Sequence, residues 1–263
     1  MRKTILFVFV QMLVVQVFAQ QTTQRTQFYL NRLSINPAVA GTQEKIPLLV
    51  HVRQQWVGIE EAPTTQTFSA NGYTGKNLGM GVVIFNDVAG PTRNTGISIS
   101  GAYHLQLTNN RTNNTWMSFG LSGNLYQYFF DADKLQTDQP NDVAIDRLLA
   151  EGGRLTPDVS AGVYINNDQW FVGLSALNLL QSETDIFRGD LNPNSVRRIY
   201  YALAGYKHRL SQDFAVEPSA LARYTSSGVF QGDFMLKGYY QKHYLGVSYR
   251  TSDSMAAVLG LNI

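Results

Sequence analysis

The 263-residue chain has no cysteine, which excludes a disulfide framework and any thiolate metal site. It has little charge: Asp, Glu, Lys and Arg make up 15% of it, against about 25% in an average soluble domain. The net charge of +2 leaves no electrostatic footprint for nucleic acid. Long apolar runs are missing beyond the N-terminus. The longest, such as Val82–Phe85, are strand-sized and far short of the ~20 residues that a transmembrane helix needs. If the chain spans a membrane, it must do so as a closed barrel, because open strand edges cannot be left in hydrocarbon.

Signals for catalysis are equally sparse. The four histidines are His51, His104, His208 and His243, and none has a serine two positions away. That spacing would put a Ser–His pair side by side on one strand face. Ser100 shares a face with His104 but lies about 13 Å away at ~3.3 Å per residue, too far for proton transfer. Cross-strand partners are not readable from the sequence. There is no His-x-His, no His-Glu-x-x-His and no Asp-x-Asp-x-Asp-Gly loop, so no metal or other cofactor is expected. Gly79-x-Gly81 is not a dinucleotide fingerprint, since it lies inside a strand pattern with no helix after it.

What is present begins with a secretory signal. Met1-Arg2-Lys3 is basic, Ile5–Val17 is apolar apart from Gln11 and Gln16, and Ala19 supplies a small residue before Gln20. That order marks residues 1–19 as a signal peptide. Residues 20–45 then form a polar lead-in, a short helix or an extended plug, ending in the turn-forming Asn36-Pro37-Ala38-Val39-Ala40-Gly41.

From residue 46 to 263 the chain alternates apolar and polar side chains. Ile97, Ile99, Gly101, Tyr103, Leu105 and Leu107 fall on one face of a strand; Ser98, Ser100, Ala102, His104 and Gln106 fall on the other. About twelve strands are expected, separated by turn signals such as Gly75-Lys76-Asn77 and Asn166-Asn167-Asp168. Two long connections interrupt them, Ala132–Thr156 and Gln181–Val196, the first with helical spacing over Asp142–Glu151. Short turns alternating with long loops are the habit of outer-membrane barrels. The 14 Tyr, 14 Phe and 22 Gly suit a wall with aromatic girdles and many close approaches. Many glycines fall on strand faces, Gly79, Gly81, Gly120, Gly162 and Gly173 among them, where curvature or room for a neighbouring tyrosine is the expected use. The fold class is therefore all-β: an antiparallel transmembrane β-barrel of about twelve strands. A soluble sandwich writes the same period and ranks behind it.

Charges within strands have to face the lumen of such a barrel and pair there. Glu217, Arg223, Lys237 and Arg250 are the candidates, as rigidifying salt bridges or as a selectivity ring for solutes.

One ordered set of residues goes further than periodicity: Asn36-Pro37-Ala38-x-Ala40-Gly41, then Arg53-x-Gln55-Trp56-x-Gly58, then Ala62-Pro63-x-Thr65. It resembles the PorP/SprF family of type IX secretion system outer-membrane proteins of the Bacteroidetes type. Gly79-Met80-Gly81 before Asn86-Asp87, Tyr200-Tyr201-Ala202-Leu203-Ala204-Gly205-Tyr206 and Gly246-Val247-Ser248-Tyr249-Arg250 agree with it. The resemblance implies a non-enzymatic barrel in the bacterial outer membrane. Its partners would be membrane lipid, other secretion components and a secreted or surface-anchored client, gliding adhesins included. A passive channel for small solutes is the alternative. Asn36, Pro37, Gly41, Arg53, Gln55, Trp56, Gly58 and Pro63 match the family signature and are the interaction candidates. Family members usually continue past the segment matching Ala257–Ile263. The wall is therefore expected either to close at about twelve strands or to be an incomplete fourteen-stranded barrel.

Overall fold

A computed structural model describes residues 28–43, 45–110, 113–131, 154–182, 196–251 and 254–261. The signal-peptide residues and most of both long connections, including the helical spacing at 142–151, lie outside them. The described chain is one antiparallel sheet. Its strands are β1 (Leu48–Gln54), β2 (Thr64–Gly75), β3 (Leu78–Ala89), β4 (Thr92–Asn110), β5 (Asn113–Phe130), β6 (Arg154–Asn166), β7 (Trp170–Leu177), β8 (Ile199–Tyr206), β9 (His208–Arg209), β10 (Phe214–Thr225), β11 (Phe230–Tyr240), β12 (His243–Arg250) and β13 (Ser254–Leu261).

Each strand pairs with the next in chain order, and the two-residue β9 continues β8 along the edge of β10. The expected twelve strands are the twelve of this path; β9 is the addition. It arises because Lys207 leaves the ladder to donate its backbone N–H to the Gln169 carbonyl. At the β4–β5 hairpin Asn110 and Asn113 are themselves paired. Among the described residues, β1 pairs only with β2 and β13 only with β12, so no hydrogen bonds join the first strand to the last.

The two faces of the sheet invert the usual soluble arrangement. On β4, Ile97, Ile99, Tyr103, Leu105 and Leu107 point outward and are exposed. Ser100 and His104, on the other face, are buried. The same holds around the wall: Leu121 is 64% and Leu259 80% exposed, while Ser118 is 0% and Asp158 2% exposed. A surface of this kind is unfavourable in water at roughly 25 cal/mol per Å² of apolar area and is stable in hydrocarbon. Outward aromatics gather toward the strand ends. Tyr73, Tyr103, Tyr206 and Tyr240 lie at the end with the tight turns; Phe129, Tyr224 and Phe230 lie at the end with the long connections. These are the two girdles of a membrane barrel.

The lumen is not empty. Residues 28–43 fold into it as two short 3-10 turns, Arg32–Ser34 and Pro37–Val39, before the chain leaves for β1. Asparagine caps both turns: Asn31 accepts from the Ser34 N–H and Asn36 from the Ala38 N–H. Pro37 follows its cap at a position where a missing N–H costs nothing. Phe28, Tyr29, Ile35, Ala38 and Val39 pack inward against Tyr164, Phe171, Leu203, Leu221, Met235 and Val258. On the other side, Leu33 and Ala40 meet Val83 and Ala102. Residues 28–43 are not extended: they form two short 3-10 turns that lie on the inner face of the sheet.

Candidate functional site

The site is the bed on which this plug lies. Across β3 to β7 the ladder aligns Gly79, Ala102, Gly120, Gly162 and Ser175 as successive partners. All five are small and face inward, which makes a smooth belt running across the strands. The plug crosses it in order. The Ser175 hydroxyl donates to the Ile35 carbonyl at 2.5 Å. A Cβ on Gly162 would meet the Asn36 side chain, one on Gly120 the backbone of Pro37 and Ala38, and one on Gly79 the Ala40 carbonyl. The glycines make the backbone of the plug and the backbone of the wall direct neighbours. Of the expected uses, room for aromatic rings holds elsewhere: Gly205 faces Phe171 and Gly260 faces Tyr244.

Asn36 is the centre of the docking. It is fully buried. Its side-chain amide donates to the Val163 carbonyl at 3.0 Å and the Leu174 carbonyl at 3.3 Å, while its Oδ1 accepts the Ala38 N–H at 2.9 Å. One side chain thus caps a turn of the plug and ties it to β6 and β7. Gly41 ends the plug with a φ of +75°, a conformation open to glycine without strain. Its N–H donates to Asn71 Oδ1 at 3.0 Å.

A charged cluster holds the opposite side. Lys237 Nζ lies 3.1 Å and Arg32 Nη2 3.2 Å from Glu217 Oε1, and the Tyr239 hydroxyl donates to Glu217 Oε2 at 2.8 Å. Arg32 also donates to the Tyr164 hydroxyl at 3.3 Å, and its guanidinium lies 3.7 Å from the centre of the Phe171 ring. Arg32 therefore bolts the plug to β6, β7 and β10. Burial, and after it the neighbouring Tyr244, pushes the Tyr29 phenol upward, so it is neutral at physiological pH. Deeper in the wall Arg250 Nε donates to Asp233 Oδ1 at 2.6 Å. Arg223 faces the same lumen, opposite Gln231 and Tyr201 in the ladder.

The candidate residues thus divide into three groups. Asn36, Pro37 and Gly41 belong to the plug. Glu217 and Lys237 hold Arg32, a plug residue that the sequence did not single out; Arg250 holds Asp233. Arg53, Gln55, Trp56, Gly58 and Pro63 sit apart, at the β1–β2 connection. Arg53 is half-buried on the lumen side of β1 opposite Thr65, and the Gln55 N–H donates to the Pro63 carbonyl at 3.0 Å. Trp56 stands 62% exposed with a φ of +48°, a left-handed backbone that is an outlier for so bulky a residue.

The structure also makes a pair that spacing along one strand cannot reveal. His104 Nδ1 and Ser118 Oγ are 2.7 Å apart, as register partners on β4 and β5. Ser118 is fully buried, and the imidazole lies beneath Ala40 and Gly41 as part of the bed. Among the described residues no group of three His, Asp or Glu side chains is placed to hold a metal ion.

A model of one protein family, described as "Type IX secretion system membrane protein PorP/SprF", matches residues 17–263, nearly the whole chain. No curated protein matches it.

Proposed function

The chain belongs to the PorP/SprF family of type IX secretion system membrane proteins, and we propose that it works there as a plugged, non-enzymatic barrel. In this reading it holds a client protein, such as a gliding adhesin, for secretion or surface attachment. Family membership makes it an outer-membrane component of that machine; the handling of a client is the proposal. The observation that carries it is the seated plug. A solute channel needs an open path, and here residues 28–43 cross the lumen, tied to the wall from β2 to β10. A filled barrel is an anchor, and its rims are what remain for partners.

The β1–β2 connection supports a contact role on one rim. Trp56 has little to pack on there, and its strained backbone is the kind that persists where structure serves binding. Replacing Arg53 and Trp56 by alanine should lower client secretion or display at unchanged barrel levels. Comparative proteomics of secreted and surface fractions measures this, and an unchanged profile would overturn the role of this rim. Deleting the protein should remove a specific client from those fractions; a purely nutritional defect would point to the channel instead.

A further inference from the structure

We infer that the luminal cavity bounded by the plug, β1–β2 and β10–β12 binds a small organic carboxylate. The cavity measures ≈ 290 Å³, room for about ten waters at ~30 Å³ each. Its walls include Pro47 and Leu48, which places it toward the tight-turn end of the lumen.

Charge is the first argument. Glu217 is the only carboxylate among the described residues that line the cavity, and Arg32 and Lys237 line it too. A third cation stands close by, Lys207 Nζ, 4.5 Å from the centre of the Tyr239 ring. Glu217 already takes contacts from Lys237, Arg32 and Tyr239. Among the described residues one negative charge therefore faces two positive ones in the cavity, with Lys207 behind Tyr239, an imbalance that a bound anion relieves.

Unspent donors are the second. The Tyr29 hydroxyl is buried without a hydrogen-bond partner among the described residues, and so is Arg32 Nε. Tyr29 as a whole is 6% exposed. Lys237 has three N–H donors, one of them directed at Glu217. A carboxylate in the cavity accepts from Lys237 through its oxygens, and the two orphaned donors belong to wall residues beside it. The remaining wall selects an organic ligand over an inorganic ion, since Tyr29, Tyr239, Tyr244, Leu30 and Leu49 supply aromatic and aliphatic surface beside the cations. The inference is independent of the client-holding role.

Calorimetric titration of the detergent-purified full chain tests it, with hippurate as the probe and its uncharged amide as the control. Hippurate should bind at one site per chain, and the amide at least tenfold more weakly. Lys237→Met should weaken hippurate at least tenfold. Glu217→Gln should tighten it several-fold, because it removes the competing charge; a purely structural salt bridge predicts no such gain. Heat-modifiable gel migration verifies that each variant is folded. Equal binding of hippurate and its amide, no binding of either, or no tightening in Glu217→Gln would overturn the site. Inorganic phosphate binding as tightly as hippurate would overturn its assignment to an organic ligand. A short peptide with a free C-terminus, compared with its amidated form, separates a polypeptide end from a free acid. Loss of binding on amidation supports the site with a polypeptide ligand, and no peptide binding while hippurate binds supports the free acid.

Discussion

At the residue scale, stability in the lumen rests on polar groups that must find each other. Asn36 makes three hydrogen bonds, each worth about 1 kcal/mol net when both partners are buried. Asn36→Ala should weaken plug docking by about 2–3 kcal/mol, read as faster protease cleavage before Leu48 in the otherwise folded barrel. Unchanged cleavage would show that the plug is held elsewhere. Arg250→Met leaves Asp233 with a buried charge, and breaking such a pair costs about 3–5 kcal/mol. The urea midpoint in lipid bilayers should fall accordingly, and adding Asp233→Leu should recover most of the loss. Of these groups, the strand charges are the ones that the sequence pattern singles out. Lipid leaves a charged side chain only the inward face, and alternation says which face that is. Arg32 was not legible, because its partner Glu217 lies 185 positions away and no local pattern carries a contact of that range. His104 and Ser118 were missed for the same reason: their meeting depends on the β4–β5 register, which spacing along one strand does not contain.

The element scale is where the glycines acquire meaning. From the sequence they read as wall curvature or room for rings, and Gly205 and Gly260 fit the second reading. Gly79, Gly120 and Gly162 do something else, which requires knowing both that they align across the strands and that a second backbone lies over them. Gly120→Val puts a side chain into Pro37 and Ala38, and the plug has no slack to yield, since Asn36 and Gly41 are fixed on either side. The variant should fold as a barrel but expose residues 28–43, with protease cleavage there at least tenfold faster. Gly101→Val is the matched control. It lies on the adjacent strand with open space where its Cβ would be, and it should change nothing. Equal behaviour of the two variants would mean that the belt does not seat the plug.

For the molecule as a whole, the inside-out burial pattern and the filled lumen make a combined statement. The apolar wall demands lipid, and in the proposed reading the plug closes the way through it. In planar bilayers the intact protein should stay near baseline, whereas deletion of residues 28–43 should yield stepwise openings in a barrel that still shows heat-modifiable migration. Steady conductance of the intact protein would favour the solute-channel alternative. The barrel class was readable because alternation is a local signal repeated along most of the chain; the plug's path was not, because it is set by long-range contacts alone. Those contacts also impose an order on folding. Residues 28–43 precede their partners on β6, β7 and β10 by more than 120 positions, so the plug cannot seat until most of the wall exists. Seating is thus a report of completion: a half-built wall leaves Asn36 and Arg32 without partners and residues 28–43 accessible to quality-control proteases, and the finished one withdraws them.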